Sequence, residues 1–328
     1  MAQAERLLLA DIGGTHTRLC ITEPDADFTS IQAFENASFE TLESLLLHYL
    51  KEQSADPGSL TGRFGVACPV TDDIIELTNF HWVFSVSQLR ARLGLRELNV
   101  VNDFTAIALS VPHLQPTHVE PIASGVARAH ASIAVLGPGT GLGVSGLIPH
   151  ADGWAVLQSE GGHATVAASS DEESRILTRM RQRVGHVSAE KVLAGPGLMA
   201  LYYAIAETEG RRVQAKNPEQ ITSDALSASD PLAQKTVDHY LAMLGGFAGD
   251  LALTLGARGG VYLAGGIMPS MVPGIRASRF TQRFADKGLF RTYLEAIPIH
   301  VITHPCPALL GLQHQAISPG VRSRLGDL

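Results

Sequence analysis

"LLLADIGGTHTRLCI", residues 7–21, decides how the chain is read, because an apolar run delivers an aspartate into two glycines and a threonine and then turns apolar again. Leu7 to Ala10 fit a short buried strand, and Leu19 to Ile21 fit its antiparallel return. Gly13 and Gly14 make the turn, since glycine tolerates positive φ and lets a backbone or a ligand come close. Asp11 is the exception. A carboxylate at the end of a buried strand must be paired, hydrated or bound to a metal. Taken alone, the stretch is equally a plain hairpin with a solvated acid at its mouth.

The layout recurs. "SIAVLGPGTGLGVSGLI", residues 132–148, again reads strand, glycine turn, strand, with Gly139, Thr140 and Gly141 where Gly13, Gly14 and Thr15 stood. "GGVYLAGGIMP", residues 259–269, is a third version, a strand running into Gly265 and Gly266. Three such elements with helices between them predict two related α/β halves. With 328 residues and 45% apolar content, there is material for about two cores.

Helix signals fill the gaps. Ser170 and Glu173 form a capping box before the stripe Ile176, Leu177, Met180 and Val184. Asp230 and Pro231 start a long helix through Tyr240, Leu244, Phe247, Leu251 and Leu255, which Gly256 stops. Gly245, Gly246 and Gly249 inside it predict very close packing on that face, because each costs about 1 kcal/mol against alanine. Ser38 to Glu52 reads as an amphipathic helix, and "ELNVVNDF", 97–104, as a strand ending in Asn102 and Asp103. Three prolines in "VPHLQPTHVEP" predict a non-helical connection between the halves near 110–130.

Composition excludes several classes. A formal net charge of −7 argues against general binding to nucleic acid or to an anionic membrane. Cys20, Cys68 and Cys306 are odd in number and widely spaced, so no disulfide framework or zinc site is expected, and a reducing cytoplasm fits. Only four apolar residues follow Glu5 and Arg6, too few for a signal-peptide core. Residues 131–148 carry no charge, yet five glycines and Pro138 make a spanning helix poor.

Polar residues collect in four places: Asp11 to Thr15, Asn102 with Asp103, "SEGGH" at 159–163, and "GHVSAEK" at 185–191. Each has a structural reading. Asn102 and Asp103 suit a turn or cap, Glu160 and His163 a surface loop, and Glu190 a helix N-terminus. No HExxH, G-x-S-x-G, P-loop or dinucleotide fingerprint is present. Two glycine–threonine turns, one from each half, could cradle a phosphate chain by backbone N–H and hydroxyl groups, with Asp11 anchoring Mg²⁺ through water.

"DIGGTHTR", "GVACPV", "TNFHWVFS", "VNDFTA", "GPGTGLG", "EGGH", "GHVSAEKVLAGPGL" and "YLAGGI", in this order over essentially the whole chain, resemble the bacterial glucokinases of the hexokinase, actin and chaperone ATPase superfamily. The resemblance implies a two-domain, ribonuclease-H-like α/β fold with an interdomain cleft. Its small domain would be 1–113 plus 304–328 and its large domain 114–303. It implies ATP-dependent phosphorylation of glucose at the 6-hydroxyl, with Asp103 as general base, and an aspartate of reference pKa about 3.9 can accept that proton late in the transfer. Asn102, Glu160, His163 and Glu190 would hold the sugar. Ala10, Asp11, Ile12, Gly13, Gly14 and Thr15, with Gly139, Thr140 and Gly141, would hold the ATP phosphates, and Gly265 and Gly266 would flank the adenosine. A homodimer is implied as well.

Two positions depart from the pattern: His16 stands where asparagine is usual, and Ala10 where glycine is common. The alternatives are a kinase for another hexose and a non-catalytic sugar-sensing relative. Sugar-sensing regulators of this kind carry an added N-terminal DNA-binding domain, for which the few residues before the first strand leave no room. The related repressors and kinases also carry a cysteine-rich zinc motif, which is lacking here.

Overall fold

In the computed structural model, which describes residues 6–151 and 153–315, the opening hairpin forms the middle of a five-stranded sheet. Residues 1–5 and 316–328 of the expected small domain lie outside the described residues. Strand β1 (Arg6–Ile12) pairs antiparallel with β2 (His16–Thr22), and β2 with β3 (Gln32–Glu35). On its other edge β1 pairs in parallel with β4 (Leu60–Val66). Helix α1 (Leu42–Glu52) precedes β4, and a small hairpin, β5 (Ile74–Glu76) and β6 (Val83–Ser85), follows it. Helix α2 (Val86–Leu93), strand β7 (Glu97–Asn102), parallel to β4, and helix α3 (Asp103–Ser110) complete this part. The sheet order is therefore β3-β2-β1-β4-β7.

The second sheet has the same plan. Strands β9 (Ile133–Pro138), β10 (Leu142–His150) and β11 (Gly153–Ser159) form its antiparallel meander, and β12 (Gly260–Leu263) and β13 (Ile299–Ile302) run parallel to β9. Its order is β11-β10-β9-β12-β13, with β8 (Val119–Ala123) added antiparallel at the edge. The two halves expected from the repeated glycine turns are thus two copies of one topology. The third glycine stretch plays another part: β12 corresponds to β4, the first crossover strand, and leads into a helix.

The intervening helices are α4 (Asp171–Val184), α5 (Ala189–Leu193), α6 (Gly195–Thr208), α7 (Pro218–Leu226), α8 (Pro231–Leu255), α9 (Met268–Ala277), α10 (Phe280–Ala285) and α11 (Arg291–Glu295). The last, α12 (Pro307–Gln313), packs on β1, β4 and α3. The chain divides into two units, one running through His113 and resuming at Cys306, the other Leu114–Pro305.

Alternation along β1 assigns its two faces. Leu8, Ala10 and Ile12 share a cluster with Leu42, Leu45, Leu46 and Tyr49 of α1. Leu7, Leu9 and Asp11 face the other way, the side covered by α3 and α12. In the second unit Ala134, Leu136, Val261, Leu263, Ile299 and Val301 pack with Leu201, Tyr202, Tyr240 and Leu244 of α6 and α8.

Local signals were read with two corrections. Helix α1 starts at Leu42, because Thr41 and Ser44 form a reciprocal cap, while Asn36–Ser38 is a separate 3-10 turn. The Ser170 box is half made: Ser170 accepts Glu173 N–H, but the Glu173 carboxylate accepts Ser169 N–H and pairs with the largely buried Arg283. The glycines of α8 behave as expected at two of three positions. A Cβ on Gly245 or Gly249 would lie 2.2 or 2.4 Å from a carbonyl oxygen of α10, whereas Gly246 has room.

Candidate active site

Sheet register brings two carboxylates together in the first unit. Asp11 on β1 pairs laterally with Gly65 on β4, so both point to the α3 side, and a Cβ on Gly65 would lie 3.7 Å from Asp103 Cα. The absent side chain leaves Asp11 and Asp103 without a partition. Asn102 caps α3: its Oδ1 accepts from Phe104 N at 2.9 Å and Thr105 N at 3.2 Å, and its amide donates to Cys68 O. The cap and the sugar-binding assignments for Asn102 compete for one side chain, of which Oδ1 is already engaged.

Burial first, and the Asp11 carboxylate second, push Asp103 up to about 7, against Phe104 N–H and Asn102, which favour the ionised form. Burial raises Asp11 too, opposed by Arg18, whose guanidinium lies 3.3 Å away on the neighbouring strand. The repulsion that Asp11 exerts on Asp103 is what a nearby cation relieves.

The first turn carries its backbone groups in a fixed pattern. Gly13 N–H bonds His16 O, and a Cβ on Gly14 would lie 3.1 Å from Asn79 Cβ. Thr15 and His16 are exposed, and Ala10 and Ile12 are buried. The side chains of Ala10 and Ile12 thus pack in the sheet, which leaves only their backbone groups to face a ligand.

In the second unit, Glu160, His163 and Glu190 converge. His163 Nε2 lies 4.0 Å from Glu160 Oε2 and its Nδ1 lies 3.9 Å from Glu190 Oε1. Gly161–His163 form a 3-10 turn, and a Cβ on Gly162 would sit 2.0 Å from Leu142 O. Backbone bonds from Ala189 N to Ala164 O and from Val166 N to Val187 O fasten this turn to the segment carrying Glu190. Glu190 Oε2 also accepts Leu142 N–H at 3.0 Å, just after the Gly139–Gly141 turn, which Gly139 N and Gly195 N brace. Gly265 has φ +108° and sits against Pro138 O, so the loop after β12 lies beside this second turn, with Gly266 exposed.

The glucokinase family model matches residues 8–318. The chain belongs to the glucokinase family. It is 46% identical to the glucokinase of Paramagnetospirillum magneticum over 317 residues, 96% of this chain and 99% of that one. Identity to the Nitrobacter hamburgensis glucokinase is 41%, over 95% of this chain and 97% of the relative. A solved glucokinase from an Antarctic psychrotroph superposes with a TM-score of 0.85 at 35% identity, covering 95% and 98% of the two chains. The fold extends to a Balamuthia mandrillaris glucokinase crystallised with glucose, TM-score 0.74 at 20% identity, covering 95% and 93%. The fold is that of the actin and hexokinase class.

For a glucokinase the residues present fit Mg²⁺. No group of three or more metal-ligating side chains occurs among the described residues. One carboxylate, Asp11, with water and nucleotide phosphates is the hard-oxygen set that Mg²⁺ prefers. Three residues beside the first turn escaped the sequence reading: Arg18, Asn36 and Asn79. Arg18 was legible as the cross-strand partner of Asp11 in "DIGGTHTR". Asn79 stood in a quoted motif without a role, and no local signal marked Asn36.

No helix among the described residues is long and apolar enough to cross a membrane.

Proposed function

We propose that the chain transfers the γ-phosphoryl group of ATP to the 6-hydroxyl of glucose, with Asp103 as the base. The observation that carries this reading is Asp103 at the start of α3, set across the side-chain gap at Gly65 from Asp11, with its carboxyl pushed up to about 7 by desolvation and by Asp11. A base poised near neutrality is matched to accepting a hydroxyl proton.

In the step, the sugar oxygen forms a bond to γ-phosphorus as the bond from phosphorus to the bridging oxygen breaks. ADP leaves, and the hydroxyl proton goes to an Asp103 carboxylate oxygen. Phosphoryl transfer asks mainly for positioning and charge neutralisation. Glu160, His163 and Glu190 hold sugar hydroxyls, supplying acceptors and a donor, and Asn102 contributes its amide. The Asp11–Thr15 and Gly139–Gly141 turns hold phosphates by backbone N–H and threonine hydroxyls, and Gly265 and Gly266 flank the adenosine. Asp11 would hold Mg²⁺ through water, and the ion would supply neutralisation of the phosphate charge. Asp11 itself orients that ion's water shell, and Arg18 fixes the Asp11 carboxylate.

Sugar-dependent ADP release, measured across glucose, mannose, fructose and N-acetylated hexosamines, tests the reading. Glucose should give the highest kcat/KM, and ATP hydrolysis without sugar should be slow. Equal ADP release with and without every sugar would overturn it. The reading includes a homodimer, as the family resemblance implies, which analytical ultracentrifugation checks.

A further inference from the structure

Asn36 follows β3 and is fully buried, yet it is polar: its side chain and backbone N–H all reach the Gly13–His16 turn or the strand leaving it, while its carbonyl accepts Phe39 N–H. Its side-chain amide donates to Gly13 O at 2.8 Å, its Oδ1 accepts the Thr17 hydroxyl at 2.8 Å, and its backbone N–H donates to Thr15 O at 2.9 Å. The orientation of the amide is settled by chemistry: Gly13 O can only accept, so the NH₂ end must face it. Gly13 N–H takes His16 O at 3.0 Å. The carbonyls of Gly13, Thr15 and His16 are thereby drawn to the protein side of the turn. A concave run of N–H groups binds an anion only if the carbonyls between them point away from it.

We propose that Asn36 is the positioning residue of this turn, setting the peptide orientations that receive the nucleotide phosphates, with Thr17 as the residue that orients Asn36. The inference rests on the reading of the turn as a phosphate site. A neutral amide suits the place. Asp11 and Asp103 already repel one another there, and a third buried carboxylate would repel both of them and the phosphates.

Steady-state kinetics on four variants, with folding checked by near-UV circular dichroism, test this. Asn36→Asp keeps the acceptor for Thr17 but sets an oxygen against Gly13 O, and should raise KM for ATP at least about tenfold. KM for glucose should stay within about twofold, a split that a general loss of structure would not produce. Thr17→Val, nearly isosteric, should raise KM for ATP about threefold or more, and Thr17→Ser should restore it. Thr17→Val carries the test if Asn36→Asp does not fold. Thr15→Ala is the control for the phosphate reading. If Thr15→Ala alone raises KM for ATP, the positioning role is overturned and the phosphate site stands. If no variant changes it, the phosphate site falls and the inference with it. A parallel rise in both KM values in the Asn36 and Thr17 variants also overturns the positioning role.

Discussion

The turn at Gly13–His16 is held by a neutral amide, that of Asn36, whereas the turn at Gly139–Gly141 is held by a carboxylate, that of Glu190. Both turns join the first two strands of the same sheet topology, and both carry glycine and threonine. The difference follows from their surroundings. Beside the first turn burial and the Asp11 carboxylate already raise Asp103, and burial raises Asp11, so a third charge would be costly. Beside the second, the charge of Glu190 has a further use: one oxygen fixes Leu142 N–H while the other faces His163. One turn is clamped for electrostatic economy, and the other shares its clamp with the proposed sugar site.

The sharpest way to break this contrast is to remove the acid peculiar to the first unit. Asp103→Asn should lower kcat by about 10²- to 10⁴-fold with KM for glucose nearly kept, as for a positioned general base. Turnover within about tenfold of the native protein would remove Asp103 from that role.

The dual use of Glu190 is tested next. Glu190→Gln retains an oxygen for Leu142 N–H but loses the charge, so KM for glucose should rise about tenfold to a hundredfold while KM for ATP stays within about twofold. Glu190→Ala should raise both. Equal effects of the two variants on ATP would separate Glu190 from the turn.

Packing distinguishes glycines within the second turn region. Gly137→Ala would place Cβ 1.8 Å from Ala264 O, which should destabilise by about 1–3 kcal/mol or more, read as a fall in Tm. Gly139 has open space around its Cβ position, so Gly139→Ala should leave Tm nearly unchanged and raise KM for ATP. If both variants lowered Tm alike, the division between packing and binding glycines would fail.

The last contrast is a pH dependence of stability. Asp103 is raised to about 7 in the folded chain, so its contribution is complete below the unfolded value of about 3.9 and is lost as pH rises through about 7. Asp103→Asn should therefore gain Tm relative to the native chain between pH 4 and pH 8, followed by differential scanning calorimetry without nucleotide. A constant difference would show that Asp103 is not perturbed.

The strands were legible because burial on alternating faces writes itself into "LLLADI" and "SIAVLG". The long helix α8 was legible through its Asp230–Pro231 start and Gly256 stop. Asp11, Asp103, Glu160, His163 and Glu190 stood out as polar residues in or beside apolar or glycine-rich stretches, and their order matched a family. Asn36 gave no such sign, since an asparagine in "ENAS" reads as any turn residue, and its three bonds to the turn and to β2 reach 19 to 23 positions back along the chain.

By itself, then, the order of residues determined the repeated strand and glycine-turn plan and the inventory of chemical groups, because periodicity, capping and backbone freedom are local properties. Tertiary structure alone decided that Gly65 lays Asp11 beside Asp103, that this pair shifts the acid toward neutrality, and that Asn36 and Glu190 each hold a turn. Lateral register and desolvation act between segments far apart in the chain, and neither is written in any one of them.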